Sequence, residues 1–192
     1  HVISGMFEEY RSGLLIDRAH LLGRYHWVDA GHKVVGVGSV GLLAFVLLLQ
    51  GRDENDLLVL QIKQAVRSVL EPFTAASSLP THGQRVVAGQ RITQAATDAF
   101  LGSTEGPDRS YYVRQLRDMK WSPDPLEMSE EAYETYAGLC GAALARAHAR
   151  SGDSVAIAAY LGSSDAFDRA IQEFAAAYTL QNNHDFSAYT RA

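Results

Sequence analysis

The chain has 192 residues, of which 47% are hydrophobic and 20% charged, with a formal net charge of −5. These values describe an ordinary folded chain and exclude the disordered class; without a basic excess, neither nucleic acid nor an anionic membrane surface is an expected partner. A single cysteine, Cys140, rules out an internal disulfide framework and suits a reducing compartment, and its small-residue setting predicts a buried, inert thiol.

The chain opens at His1 with residues that already read as structured, so it is expected to be a piece of something longer, lacking an N-terminal part. From Ile3 to Tyr25, Met6, Tyr10, Leu14, Leu21 and Leu22 recur among charges and predict one or two short helices, so residues 1–31 read as a helical lead-in. From His32 the sequence turns β-branched and glycine-rich: Lys33 to Gly41, then an apolar stretch to Gln50, read as two strands joined at the glycines. That apolar run, Val40 to Leu49, is about half of the roughly 20 residues a membrane helix needs. With no signal-peptide pattern at the start, the cytoplasm is the expected location.

Turn formers from Gly51 to Asp56 precede a third strand, Leu57 to Lys63, which completes an antiparallel meander. A Ser-, Thr- and Pro-rich loop from Pro72 to Gly83 leads to a helix expected over Gln84 to Leu101, with Ala88, Ile92, Ala95 and Ala99 as its apolar stripe. Tyr111 to Leu116 reads as a fourth strand, and Ser122-Pro123-Asp124-Pro125 as a linker closing a sheet region over 32–121. Residues 122–192 read as helical: one helix from Ser129 to about Arg150, another near Ser154 to Tyr160, and a last from Ser164-Asp165 to about Asn182. The expected fold class is therefore α+β, a small antiparallel sheet followed by a mainly helical portion. His148 reads as a helix-end histidine that benefits from the helix dipole.

Gly36, Gly38 and Gly41 form G-x-G-x-x-G, a pattern that several unrelated folds use. In a dinucleotide-binding fold the glycines open a helix, whose N-terminus meets the pyrophosphate. Here a strand is expected to follow, which is the kinase-like arrangement: a glycine hairpin lets backbone N–H groups approach phosphates, and the next strand supplies a lysine. Lys63 stands at that place, and Gly36, Gly38, Ser39, Gly41 and Lys63 are the candidate nucleotide-binding residues. A lysine clamp also wants a carboxylate from the following helix, but Ala88 occupies the early turn and the only acid, Asp98, lies near the far end.

A plainer reading makes the glycines turn geometry and Lys63 a solvated strand residue. Arg114, Arg117 and Lys120 are secondary candidates for an anionic site, although alternating charges on a strand most often face water. The seven histidines show no metal-ligand spacing beyond a loose His20/His26 pair, so no structural metal is expected.

The strings Lys33 to Gly41, Gln84 to Val87, Tyr112 to Lys120, Leu144 to Asp153 and Ser164 to Ala170 resemble the bacterial family catalogued as domain of unknown function 2252. The resemblance spans nearly the whole chain. It implies that an upstream part carries a Gly-Asp-x-His-x-x-Asn-Phe-like string and an Asp-Phe-Asp string, similar to the catalytic and metal-binding loops of aminoglycoside phosphotransferases. This chain would then be the nucleotide-cradling portion of an ATP- and magnesium-dependent, kinase-like phosphotransferase, inactive by itself and with an unknown acceptor. The family pattern places an acid where Ala88 stands, another at Gln64, and a small or hydroxyl residue at Leu42; the loss of the acid at Ala88 bears on the lysine clamp. A non-catalytic interaction module and an inactive truncated product are the alternatives.

Overall fold

The computed structural model describes residues 2–34, 36, 40–116 and 122–191. Two helices, α1 (Val2–Ser12) and α2 (Ile16–Leu22), precede the strands β1 (His26–His32), β2 (Ala44–Gln50) and β3 (Leu57–Ala65). Helix α3 (His82–Thr93) follows, then β4 (Gly102–Glu105) and β5 (Ser110–Gln115), and finally α4 (Glu130–Ser151), α5 (Ser154–Leu161) and α6 (Ala166–Tyr189). The chain divides into two compact units, residues 1–147 and 148–192. The α+β reading holds: the strands form one antiparallel sheet in the order β1-β2-β3-β5-β4.

Alternation along the strands decides which face is buried. Leu47 and Leu49 of β2, Leu58 and Leu60 of β3 and Val113 of β5 point to one face and form a core with Tyr10, Leu14, Leu22 and Phe100. Ile62 packs against that core, so its neighbour Lys63 projects from the opposite face. The turn between β2 and β3 is held by its own acids. Asp56 accepts from the Arg52 N–H at 3.0 Å and from the Tyr25 hydroxyl at 2.9 Å, and Asp53 accepts from the Asn55 N–H at 3.0 Å. Donation from the Arg52 N–H, with the tyrosine hydroxyl next, keeps the Asp56 carboxyl below its ordinary range.

Several sequence expectations shift. The first strand is His26–His32 rather than the residues after His32, because pairing to β2 confers strand geometry on a segment whose side chains are all exposed. Helix α3 stops at Thr93, eight residues before the expected Leu101; Gln94 is already extended at φ −91° and ψ 137°. The expected stripe therefore fails: Ala95 and Ala99 lie beyond the helix, Ile92 is exposed, and Gly83 and Val87 are the buried residues of α3. Residues 102–105, between the expected helix and the expected fourth strand, form β4. Cys140 is exposed rather than buried, and α4 buries none of its described residues. His148 does fall in the last turn of α4, and the last helix continues to Tyr189.

Among the described residues no helix is long and apolar enough to cross a membrane. The same residues contain no group of three or more His, Cys, Asp or Glu side chains placed to hold a metal ion.

Candidate functional site

The glycine segment joins two antiparallel strands. Lys33 donates its N–H to the Ala44 carbonyl at 2.8 Å, extending the β1–β2 pairing by one residue, and the intervening chain contains Gly36 and Gly41. Gly41 has φ +82°, a conformation that favours glycine because a Cβ would crowd the adjacent backbone; among the described residues, none beyond its two chain neighbours comes within 4 Å of that Cβ position. No helix opens at Gly41; residues 40–42 form a turn and bend, and β2 begins at Ala44. Gly38 and Ser39 lie outside the described residues, as do Arg117 and Lys120.

Lys63 stands beside this loop. It pairs in register with Ala44, the first residue of β2. The neighbouring Gln64 clasps the loop's exit: its N–H donates to the Leu43 carbonyl at 2.9 Å, and its side-chain oxygen accepts from the Leu43 N–H at 3.1 Å. Direct partners across a sheet share a face, so Ala44, Lys63, Tyr112 and Ser103 form one row. Gln61 and its partner Arg114 form the next row on that face. Of the secondary candidates, Arg114 is therefore brought to the face of Lys63. Burial raises the Tyr112 hydroxyl above its ordinary pKa, partly offset by the guanidinium of Arg114.

Helix α3 lies on the same face. A Cβ on Gly83 would run into the Tyr111 carbonyl oxygen and come within 3.0 Å of the Ser103 Cβ, so the first turn of α3 presses on the far end of Lys63's row. Two strand spacings, roughly 10 Å, separate Ser103 from Lys63 along that row. Thr81 caps the helix by accepting from the Gln84 N–H at 3.2 Å, and the Arg85 guanidinium donates to the Val66 carbonyl at 2.7 Å, anchoring α3 to the end of β3.

No carboxylate belongs to α3, whose sequence is HGQRVVAGQRIT. Asp98, which sequence reasoning placed near the helix's far end, instead lies beyond it and accepts from the N–H groups of Phe100 at 2.8 Å and Gln115 at 2.5 Å. Its role is to tie the approach to β4 onto the end of β5.

A second concavity, of about 600 Å³, was not foreseen from sequence. It lies along the free edge of β4 and is lined by Glu9 of α1, by Gln84, Ala88 and Arg91 of α3, and by β4 itself. Glu9 uses one oxygen to accept from the Thr104 hydroxyl at 2.9 Å and the Glu105 N–H at 3.0 Å. Arg91 donates to the Leu101 carbonyl at 2.7 Å. These groups come from three distant stretches of chain, and the sequence alone carries no signal that joins them.

Residues 1–192 match the model of a family described as an uncharacterized protein conserved in bacteria, DUF2252. No curated protein and no solved structure matches the chain.

Proposed function

The chain belongs to the DUF2252 family of uncharacterised bacterial proteins, and we propose that within it residues 33–65 form a cradle for the phosphates of a nucleotide, as in kinase-like phosphotransferases. The observation that carries this reading is the shared end of the sheet: the glycine segment connects β1 to β2, and Lys63 of β3 pairs with the first residue after it. An ammonium held on a rigid strand beside backbone N–H groups from a glycine loop is a phosphate-binding combination. Gly36, Gly38, Ser39 and Gly41 would approach the phosphates through their backbone. Lys63 would neutralise them, with Arg114 on the same face as a further cation. ATP carrying magnesium is the expected ligand, and the metal would screen the phosphate charge.

A second reading, a binding module without transfer activity, is favoured by the helix. Alanine stands at residue 88 and α3 offers no acid, so no carboxylate of α3 can fix the lysine as a catalytic clamp requires. The chain also contains neither a Gly-Asp-x-His-x-x-Asn-Phe-like string nor an Asp-Phe-Asp string to supply a base and metal ligands. The proposal is accordingly one of nucleotide binding, with transfer to an acceptor left to a protein that holds those groups.

Titration calorimetry with ATP and magnesium tests it. Weak, millimolar binding is expected, reduced at least several-fold in Lys63→Ala and largely retained in Lys63→Arg. Absence of binding at millimolar nucleotide, or equal binding by Lys63→Ala, overturns the proposal.

A further inference from the structure

The edge of β4 that faces the 600 Å³ cleft is capped at both ends and open in the middle. Gly106 donates to the Arg109 carbonyl at 2.7 Å, which fixes the phase of the β4–β5 ladder: Thr104 exchanges bonds with Tyr111, and the backbone groups of Ser103 and Glu105 turn outward. The Glu105 N–H is taken by Glu9 at 3.0 Å, in agreement with that phase. Toward the strand's start the Leu101 carbonyl is taken by Arg91. Between these caps, the N–H and C=O of Ser103 face the cleft.

The two capping side chains have opposite charge. Among the described residues neither Glu9 nor Arg91 takes part in an ion pair, so a carboxylate without a cation and a guanidinium without an anion line one cavity. The Leu101 carbonyl and the Glu105 N–H that these side chains hold are separated by residues 102–104, about 11 Å along the strand. A free amino acid is too short for such a gap. A tripeptide extended as a strand places its terminal charges about 7–10 Å apart.

We propose that this cleft binds a short peptide of about three residues with free termini, laid against β4 as an added strand. The direction follows from the charges. The peptide's ammonium meets Glu9 at the Glu105 end and its carboxylate meets Arg91 at the Leu101 end, so the peptide runs antiparallel to β4. Its middle residue stands opposite Ser103 and exchanges two backbone hydrogen bonds with it, the pairing that an outward-facing residue of an antiparallel edge offers. Leu79, Val87, Ala88 and Ile92 supply apolar surface for its side chains. A cavity of this volume is within the range that small ligands occupy. This site shares no residue with the phosphate cradle, and the proposal stands or falls independently of nucleotide binding.

The test is calorimetric titration of the full chain with trialanine and three altered forms: N-acetyl-trialanine, trialanine amide, and a trialanine N-methylated at its middle residue. Trialanine should bind, and each blocked terminus should weaken binding by about tenfold, as expected for loss of a charge-assisted pair. The N-methylated form should weaken it at least as much, since it lacks the N–H that pairs with Ser103. Glu9→Gln, which retains an acceptor for Thr104 and Glu105, should abolish the difference between trialanine and its acetylated form. Trialanine that fails to bind at millimolar concentration, or binds no better than the N-methylated form, overturns the proposal. Because the peptide itself is altered, the result does not depend on a variant that must fold.

Discussion

The strand-containing stretch and the helical stretch after residue 129 are held by different kinds of contact. Tyr10 donates to the Phe100 carbonyl at 2.6 Å, Thr104 to the Met6 carbonyl at 2.8 Å, and the Glu105 N–H to Glu9, each joining residues 90 or more positions apart. In α4, α5 and α6 no described residue is buried, and the bonds from Arg169 to Asp165, Thr179 to Ala175, Gln181 to Asp185 and Ser187 to Asn183 each span four residues. Order in the first stretch is therefore cooperative and nonlocal, whereas order in the second is local and divisible. A helix sustained only by its own bonds is marginal in water, so its amides should exchange through local openings rather than through global unfolding.

The largest test sets one core residue against one helix residue. Leu60 lies at the centre of β3 with 0% of its surface exposed, while Ile171 of α6 is 51% exposed. Leu60→Ala should cost about 3 kcal/mol or more through lost burial and the cavity left behind. Ile171→Ala should change stability by less than about 0.5 kcal/mol. Urea denaturation followed by circular dichroism measures both, and equal costs would break the comparison by showing that α6 packs as a core element.

Close packing on both faces of β4 gives the next test. A Cβ on Gly102 would approach the Tyr10 ring at 2.8 Å, and one on Gly83 would strike the backbone oxygen of Tyr111. Gly83→Ala should destabilise by about 1–3 kcal/mol because backbone cannot step aside as a flexible side chain can. Beyond the chain neighbours and the helix's own backbone, no described residue comes within 4 Å of a Cβ at Gly141 in α4, so Gly141→Ala should stabilise, by up to about 1 kcal/mol through helix propensity. Opposite signs for one substitution in the two stretches would sharpen the contrast; the same sign would remove it.

Tyr10 ties α1 to the chain entering β4. Its O–H donates to Phe100 in a buried setting, so Tyr10→Phe should cost about 1–2 kcal/mol by stranding that carbonyl. Burial, with the Asp98 charge second, raises the Tyr10 hydroxyl well above its ordinary pKa. The neutral form is thus favoured in the folded state. The stability it brings is fully present below the unfolded tyrosine pKa of about 10 and is lost progressively as pH rises above that value. Denaturation midpoints taken between neutral and strongly alkaline pH should fall for the native chain and fall less for Tyr10→Phe.

How much of this was legible in the sequence depends on whether a segment's state is set by its own residues. The apolar run ending at Gln50 and the apolar stretch from Leu57 after a segment of turn formers gave β2 and β3, and the acidic start at Glu130 gave α4. His26–His32 was opaque because its two strand formers, Trp27 and Val28, are followed by an aspartate and a glycine, which are depleted in strands, and pairing with β2 extends the segment. Gly102–Glu105 is four small or polar residues that become a strand against β5. The overlong reading of α3 has a local cause: Ala95 and Ala99 continue the three- and four-residue spacing, but the backbone turns extended at Gln94. For the proposed cradle, the closeness of Lys63 to the end of the loop that contains Gly36 and Gly41 was readable because β2, which follows that loop, and β3 are consecutive strands of one meander. The Glu9–Arg91 cleft was not, because α1, α3 and β4 meet only in the fold.

The smallest test uses the helix caps, since both stretches have one of the same kind. Asp153 accepts from the N–H groups of Val155 and Ala156, both at 3.0 Å, at the start of α5; Thr81 accepts from the Gln84 N–H at the start of α3. Removing either cap by alanine should cost about 1 kcal/mol of helix stability. The consequences should differ. Val87 and Gly83 bind α3 into the sheet, so its amides open mainly with the whole unit, and Thr81→Ala lowers that global free energy for every protected amide alike. Helix α5 buries no residue, so Asp153→Ala should speed hydrogen exchange about fivefold at the α5 amides while leaving those of β3 unchanged. Exchange that accelerates in β3 as well would mean that the two stretches unfold together, and the distinction between nonlocal and local order would not hold in solution.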